Sequence, residues 1–237
     1  MSKRALDNKE YLEITYSDTR APQSSYPIQL GKHLLSNFYK RTGKVLDIGC
    51  GRGDSLRALS SLGFNACGVD ISPEAPNYSK DFNVKVLDLE KEELSYENEF
   101  DFVFSKSVIE HMREPVALIQ ASYKSLKKGG MSVIMTPSWE HNYKGAFYID
   151  HTHVTPFTRT SLKDIMEMSG FKDVEVYYFY QLPYLWRYPF LKLLSKIVFM
   201  LPIPYAPLNQ VPWKVSNELN KFVRFSKEIM LLAVAKK

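Results

Sequence analysis

Short apolar segments rich in β-branched and aromatic residues alternate along the chain with longer segments of helical periodicity. Five of the short segments lack polar alternation, which is typical of parallel strands buried on both faces of a sheet. They cover residues 44–48, 66–69, 84–87, 100–104 and 131–136. The intervening segments, which include residues 55–62 and 115–126, predict helices. The pattern therefore predicts an open, twisted α/β sheet that binds ligands at the carboxyl ends of its strands.

The pattern changes after the fifth predicted strand. A loop rich in Trp, His and Tyr spans residues 138–157 and leads to a predicted helix at 159–169, which Gly170 ends. Residues 174–180 and 228–235 are strand-like, and we expect them to pair antiparallel at one edge of the sheet. The residues between these two strands are too many for a hairpin loop, so they predict a helical cap.

These elements predict one α/β domain with a doubly wound, Rossmann-like, seven-stranded sheet. The sheet is expected to have an antiparallel edge strand, and the cap is inserted before the last strand. We divide residues 1–237 into an N-terminal helical arm at 1–43, a core at 44–181, a cap at 182–227 and a last strand at 228–237. The chain contains no repeat or low-complexity tract, which also favours a single globular domain.

Charge is unevenly distributed along the chain. Residues 182–237 contain nine Lys or Arg against two Glu, although the net charge of the whole chain is only +5. This region is the candidate for contact with an anionic partner, while a solvated basic surface is the commoner meaning of such a bias. The N-terminal sequence has no apolar run behind its basic residues, and Cys50 and Cys67 lack metal-like spacing. We therefore expect a cytoplasmic protein whose cysteines pack in the core.

The most specific segment is VLDIGCGRGDSLRAL, residues 45–59, in which a strand is followed by a glycine-rich turn and an amphipathic helix. Gly49, Gly51 and Gly53 allow a sharp turn and a close approach of the backbone to a ligand. A dinucleotide-binding turn would have glycine at position 54, where Asp54 instead places a carboxylate against the pyrophosphate. No Gly-Lys-Ser/Thr follows, which excludes a Walker loop. The turn therefore predicts a cofactor without phosphate.

Two acids follow the next predicted strands. Asp70, in GVDIS, ends the second strand, where its carboxylate can accept hydrogen bonds from both hydroxyls of a ribose. Asp88, in VLDLE, lies just beyond the third strand, where it could accept a hydrogen bond from an adenine amino group. Together with the turn, these acids indicate an adenosine. The alternatives are an ordinary loop position for Asp88 and a turn-stabilising role for Asp47.

From about residue 44 to residue 170 the chain resembles class I S-adenosylmethionine-dependent methyltransferases, in the broad group that methylates small molecules, quinones and sugars. The resemblance rests on DIGCGRGD, GVDIS, VLDLE, FDFVFSKSVIEHM and LKKGGMSVIMTP, in that order. It implies S-adenosylmethionine as the cofactor. The residues that the resemblance assigns to the methionine half are Asp47, Gly49, Gly51 and Gly53, with Ser105 and Lys106 through backbone groups. Asp70 is assigned to the ribose, Asp88 and Leu89 are assigned to the adenine, and Cys50 and Ile71 complete the predicted contacts.

Histidines supply the candidates for catalysis. Methyl transfer requires alignment of the acceptor behind the methyl group and, for a hydroxyl acceptor, a base. The candidates are His111 in VIEHM, His141, and the pair His151 and His153 in DHTHVTPFT. His111 could instead position its loop, and the DHTH segment could provide a base oriented by Asp150, an acceptor-binding loop or a metal site. One adjacent acid leaves metal coordination incomplete, so we expect no metal.

The acceptor is expected to be a small molecule, a glycan or glycan precursor, or a lipid-like compound methylated on oxygen. Nucleic acid is a weaker candidate, because the basic residues of the cap are interspersed with proline and large apolar residues. A protein that binds S-adenosylmethionine without transferring its methyl group, in a regulatory or assembly role, is the alternative function. Four residues of the N-terminal arm could fold over the cofactor and the acceptor or simply pack on the core: Tyr11, Tyr16, Arg20 and Tyr26.

The cap contains an apolar segment, residues 182–207, that is too short and too interrupted to cross a bilayer. In its predicted helix Lys192, Ser195 and Lys196 share one face, which leaves a wide apolar face. That face could pack on the core or rest on a membrane surface. Residues 185–205 are therefore a candidate for peripheral membrane contact of an otherwise cytoplasmic protein.

Overall fold

A single seven-stranded sheet forms the centre of the protein. The computed structural model describes residues 21–143, 147–206 and 218–237. The strands are β1 Lys44–Ile48, β2 Asn65–Asp70, β3 Asn83–Val86, β4 Phe100–Lys106, β5 Leu126–Pro137, β6 Lys172–Phe179 and β7 Met230–Lys236. Their order across the sheet is β3-β2-β1-β4-β5-β7-β6. Neighbours among β1 to β5 are parallel, whereas β7 runs antiparallel to both β5 and β6.

Helices cover both faces of this sheet. Those in the described residues are α1 Tyr26–Leu34, α2 Asp54–Ser61, α3 Ala75–Tyr78, α4 Val116–Ser125, α5 Trp139–Asn142, α6 Arg159–Met168, α7 Pro183–Arg187, α8 Lys192–Met200 and α9 Glu218–Lys227. A π-helical turn follows α1 at Leu35–Tyr39. Short 3-10 turns occur at Ile109–His111, Phe147–Ile149 and Pro189–Leu191. The doubly wound α/β architecture predicted from the hydrophobic pattern is confirmed.

The core consists of two apolar layers separated by the sheet. On one face α4 and α6 pack against residues such as Leu46 and Ile48 of β1. On the other face α1 and α2 pack against Val45 of the same strand. Because successive side chains of a strand point to opposite faces, a central strand covered on both faces has mostly apolar residues at consecutive positions. This is why the short apolar runs in the sequence identified the parallel strands.

Strand positions agree with the sequence-based expectation, with differences at the ends. β5 begins at Leu126 and includes the glycine pair that preceded the predicted strand. Gly129 and Gly130 exchange backbone hydrogen bonds with Lys237 at the end of the chain, which extends the sheet past the predicted boundary. The expected antiparallel pair is confirmed as β6 and β7, and β7 lies between β5 and the edge strand β6. The division of the chain into arm, core, cap and last strand stays a prediction.

The segment between β6 and β7 contains helices α7, α8 and α9, as expected of a cap. The expected polar face of α8 is wrong in one respect, because Ser195 is fully buried together with Val198. Lys192 and Lys196 are exposed, and apolar side chains share the outer surface with them: Leu193 and Met200 are 66% and 81% exposed. None of the helices in the described part of the chain has the length and hydropathy of a membrane-spanning segment.

Candidate functional site

The glycine-rich turn between β1 and α2 packs closely against neighbouring backbone and side chains. The Gly49 amide donates a hydrogen bond to the carbonyl of Val69 at 2.7 Å, which ties the turn to the end of β2. Gly49 and Gly53 have φ values of +83° and +75°, a region that disfavours side chains. A Cβ at Gly49 would overlap the side chain of Val108, and one at Gly53 would overlap that of Ser79. The bare backbone is therefore a steric requirement at both positions.

Replacement of Gly49 by alanine is expected to lower the free energy of unfolding by about 2–4 kcal/mol, because positive φ and overlap with Val108 both oppose the new methyl group. Gly129 provides the matched control, since its φ is +77° but a Cβ there would have no heavy atom within 4 Å. Gly129→Ala should cost only about 1 kcal/mol. Denaturant unfolding of both variants measures the difference, and equal losses would show that the close approach at Gly49 is unimportant.

Two acids meet at the carboxyl ends of β1 and β2. One Asp70 oxygen accepts a hydrogen bond from the Gly51 amide at 2.7 Å, and the other accepts one from the Ser72 amide at 2.8 Å. Asp47 is 2% exposed, and its Oδ2 has no hydrogen-bond partner among the described residues. Burial, and secondly the charge of Asp70, raise the pKa of Asp47 to about 8. A cationic group beside Asp47 would favour its ionised form.

Helix α2 begins at an acid, which bears on the kind of ligand that the turn accepts. The Asp54 carboxylate forms ion pairs with Arg52 at 2.9 Å and Arg57 at 2.5 Å. A helix N-terminus normally favours anions, but this position already holds a carboxylate. The arrangement supports the expectation that the turn takes a ligand without phosphate.

The other predicted cofactor residues have varied surroundings. Asp88 accepts a hydrogen bond from the Glu90 amide and pairs with Lys91 at 2.7 Å, so its carboxylate also stabilises a local turn. The Ser105 hydroxyl donates to the carbonyl of Ile48, which leaves backbone groups for any ligand contact. The remaining three are described by their burial: Cys50 is buried, Leu89 packs against the core and Ile71 is exposed. Their contacts with a cofactor stay predictions.

A cavity of about 810 Å³ lies between the carboxyl end of the sheet and the cap. This volume is typical of sites for small organic ligands. The polar and charged residues of its wall include Arg52, Asp54, Lys106, Ser107, Glu110, His111, Asp150 and His153. Its apolar wall includes Tyr26, Leu182, Tyr184, Phe222, Phe225 and Met230. Lys106 is thus the predicted cofactor residue that shares this wall, whereas Asp70 and Asp88 lie outside it.

Three side chains with metal-ligand chemistry come together in the cavity wall. One ligand atom from each of Glu110, His111 and His153 lies within 4.8 Å of the other two. Glu110 is fully buried, and its Oε2 accepts a hydrogen bond from the Thr136 hydroxyl at 2.9 Å. Its Oε1 has no hydrogen-bond partner in the described part of the chain. Burial raises the pKa of this carboxyl to about 7.

The hydrogen bonds of the two histidines determine their tautomers. Thr152 donates its hydroxyl proton to Asp150 at 2.6 Å, so it accepts a hydrogen bond from the Nδ1 of His111 at 2.8 Å. The Nδ1 of His153 donates to the carbonyl of Phe147 at 2.7 Å. In a neutral imidazole with a proton on Nδ1, Nε2 carries the lone pair. Burial, then the other histidine, lower the pKa of His111 to about 4, and burial also lowers the pKa of His153.

The catalytic candidates from the sequence therefore fall into two groups. His111 and His153 lie 4.6 Å apart between ring centroids and share the cavity wall. His151 is exposed and lies outside that wall, as does His141, which bonds to the Ser138 hydroxyl. Of the N-terminal residues singled out, Tyr26 lines the cavity. The other three, Tyr11, Tyr16 and Arg20, lie outside the described residues.

Sequence reasoning did not assign a role to Glu110, although it lies in the Glu-His dipeptide of the VIEHM motif. Its neighbour His111 attracted attention because histidine titrates near neutrality. A fully buried acid is indistinguishable from a surface acid in a sequence of this kind. The contributions of Thr152 and Thr136 depend on hydrogen bonds between distant segments, for which the sequence offers no signal.

The fold and the turn together define a class of protein, the Rossmann-like proteins that bind a nucleoside-containing cofactor at the carboxyl ends of parallel strands. A family model described as a methyltransferase domain matches residues 23–176. The chain is 26% identical to a SAM-dependent methyltransferase structure from Archaeoglobus fulgidus, with a TM-score of 0.63, and the match covers 89% of this chain and 94% of that one. The chain therefore belongs to the methyltransferase-domain family, as a class I, S-adenosylmethionine-dependent member.

Two curated relatives indicate the range of acceptors in similar proteins. The chain is 32% identical over 108 residues to a ubiquinone biosynthesis O-methyltransferase from Hydrogenovibrio crunogenus, and the match covers 42% of this chain and 44% of that protein. It is 34% identical over 177 residues to a tRNA U34 carboxymethyltransferase from a Sulfurovum strain, covering 65% of this chain and 56% of that protein. The chain thus spans about half the length of these relatives.

Proposed function

We propose that this protein transfers a methyl group from S-adenosylmethionine to a hydroxyl oxygen of a small, lipid-like acceptor. The observation that carries the proposal is the cavity of about 810 Å³, which brings the end of the glycine-rich turn together with the His111–His153 pair. Family membership supports the cofactor. The O-methyltransferase among the relatives supports a hydroxyl acceptor.

The residues around the turn fit the cofactor. Asp47 is a buried acid whose Oδ2 has no hydrogen-bond partner among the described residues, which suits the ammonium group of a methionine. The positive φ values of Gly49 and Gly53 produce the sharp turn that brings backbone groups to the carboxyl end of β1, where a methionine half would bind. Asp70 already accepts two amide hydrogen bonds, but a carboxylate has about four acceptor positions, so it can also accept from ribose hydroxyls.

The cavity wall suits an acceptor with an apolar body and a hydroxyl group. Cap residues Tyr184, Phe222 and Phe225 contribute apolar and aromatic surface, while His111 and His153 lie in the same wall. When bound, S-adenosylmethionine supplies a methyl group on a cationic sulfur, and transfer forms an O–C bond as the C–S bond breaks and leaves its electron pair on sulfur. The neutral histidines offer nitrogen lone pairs that can take the hydroxyl proton.

The surface of the cap favours an acceptor that is taken from a membrane. Phe190, Leu193 and Met200 are 74%, 66% and 81% exposed, and Lys192 and Lys196 lie on the same short segment with exposed side chains. Apolar side chains flanked by lysines are typical of segments that rest on anionic bilayers. The same cap lines the cavity, so a membrane-bound cap would hold the cavity close to the lipid.

Vesicle binding tests this part of the proposal. A Leu193→Ser, Met200→Ser double variant is expected to bind phosphatidylglycerol-containing vesicles at least about tenfold more weakly, because burial of each side chain is worth about 1.5–3 kcal/mol. Met168→Ser is the matched control, since Met168 is 88% exposed and belongs to helix α6, not to the cap. Cosedimentation measures binding, and equal binding by all three proteins would exclude the cap as the contact.

Calorimetric titration tests the cofactor before any acceptor is known. The purified protein is expected to bind S-adenosylmethionine and S-adenosylhomocysteine with micromolar affinity and not to bind a nicotinamide dinucleotide. Labelled methyl donor is then offered with a lipid extract, with water-soluble metabolites and with tRNA. Label in the lipid fraction supports the proposal, whereas label only in tRNA would show that the acceptor is a nucleic acid and not a lipid-like molecule. Cofactor binding without transfer to any fraction would favour a non-catalytic binding protein.

A further inference from the structure

The cluster of Glu110, His111 and His153 has the composition of a metal site as well as that of an acid-base site. Glu110 and His111 lie on the 3-10 turn that follows β4, and His153 lies on the loop that follows Phe147–Ile149. One oxygen or nitrogen atom from each lies within 4.8 Å of the other two, and all three residues line the cavity. Two imidazoles and one carboxylate are a common ligand set for divalent transition metals.

Hydrogen bonds around the cluster hold the histidines in the state that a metal needs. His111 donates from Nδ1 to Thr152, which in turn donates to Asp150, and His153 donates from Nδ1 to the Phe147 carbonyl. In metal sites a ligating histidine almost always donates its other ring N–H to a carboxylate, a carbonyl or a similar acceptor, which fixes the tautomer and the orientation of the ring. The structure therefore contains the outer partners of a metal site as well as its ligands.

Glu110 is the independent indication that something binds here. Its carboxyl group is fully buried, and Oε1 has no hydrogen-bond partner among the described residues. A buried polar atom left in this condition destabilises the folded protein, and more so when it is charged. Coordination of a cation by Oε1 would remove this cost while Oε2 keeps its hydrogen bond from Thr136.

We propose that Glu110, His111 and His153 bind one divalent first-row transition-metal ion whose open coordination positions face the cavity. Bonds of about 2.0–2.2 Å to nitrogen and oxygen place ligand atoms roughly 3.0–3.4 Å apart, so the three atoms must move closer together by as much as about 1.5 Å when the ion binds. This replaces the expectation of no metal, which considered only the acid next to the DHTH segment. The fold supplies two of the three ligands, Glu110 and His111, from the turn after β4.

The ion would also take part in the proposed methyl transfer. Only this catalytic role rests on the proposed function. A hydroxyl that binds a divalent cation has a lowered pKa, so it can release its proton to water near neutral pH. His111 and His153 then act as ligands and need not accept the proton. Metal binding itself does not depend on any acceptor.

Cobalt titration tests the site. Protein treated with a chelator and dialysed is titrated with Co²⁺, with visible absorption and calorimetry as readouts. One ion per chain is expected, with ligand-field bands of nitrogen and oxygen coordination. Glu110→Gln and His153→Ala are expected to weaken Co²⁺ binding at least about 100-fold. Loss of a residue that only hydrogen-bonds to a metal ligand already lowers metal affinity about 10–100-fold, and loss of the ligand itself should cost more. Thr152→Val should weaken it about 10–100-fold through His111.

His141→Ala is the matched control, since His141 is a half-buried histidine outside the cluster. S-adenosylhomocysteine binding by every variant shows that it is folded. Unaltered Co²⁺ binding by both Glu110→Gln and His153→Ala, or no binding by the wild type, would overturn the proposal. Methyl transfer by protein that does not bind Co²⁺ would contradict the metal site but support the proposed function. Co²⁺ binding by protein that transfers no methyl group would support the metal site and contradict the proposed function.

Discussion

Replacement of His153 by alanine is expected to lower methyl-transfer turnover by about 10²–10⁴-fold, the range over which a positioned acid-base group contributes. The affinity for S-adenosylhomocysteine should change by less than about twofold, because His153 belongs to the wall of the cavity and not to the glycine-rich turn. The effect is expected in kcat. Steady-state kinetics at saturating cofactor, together with calorimetry, separate the two quantities.

His151→Ala is the comparison that makes this test specific. His151 lies two residues away in the same DHTH segment, but its side chain is exposed and outside the cavity wall. We therefore expect His151→Ala to retain turnover within about twofold. Equal losses in the two variants would mean that the segment acts as a whole loop, and loss of cofactor binding in His153→Ala would indicate a structural role for that residue.

Replacement of Asp70 by alanine is expected to weaken S-adenosylmethionine binding by about 2–3 kcal/mol, which is about 30- to 150-fold in Kd. Two effects combine in this loss. The carboxylate is no longer available to the ribose hydroxyls, and the Gly51 amide loses the acceptor that holds the turn at 2.7 Å. Calorimetric titration of the variant with S-adenosylmethionine and S-adenosylhomocysteine measures the change.

Asp101→Ala provides the control for a general loss of stability. Asp101 also accepts a backbone hydrogen bond, from the Lys44 amide at 2.9 Å, but it lies at the start of β4, at the amino end of the parallel strands and so opposite the glycine-rich turn. This variant should be less stable and should bind the cofactor with unchanged affinity. An unchanged Kd in Asp70→Ala would remove Asp70 from the cofactor site, and a large loss in Asp101→Ala would attribute both effects to the fold.

The sequence predicted that the cap is helical but not which of its side chains are exposed. Its length between two strands was enough to predict helices, because no hairpin loop is that long. The helical pattern placed Ser195 with Lys192 and Lys196 on one face, yet Ser195 is fully buried while the two lysines are exposed. Side-chain burial in α8 follows from contact with α9 and with the rest of the cap, which a pattern read along one helix does not contain.

The sequence alone determined the sheet and the cofactor turn. Buried parallel strands need apolar residues on both faces, and a sharp turn needs glycine where φ is positive, so both features are local and can be read along the chain. The tertiary structure alone decided which histidines lie together. Glu110, His111 and His153 come from two separate segments, and only the packing of those segments brings their ligand atoms within 4.8 Å and leaves His151 exposed. The chemistry of this cavity depends on contacts between distant residues.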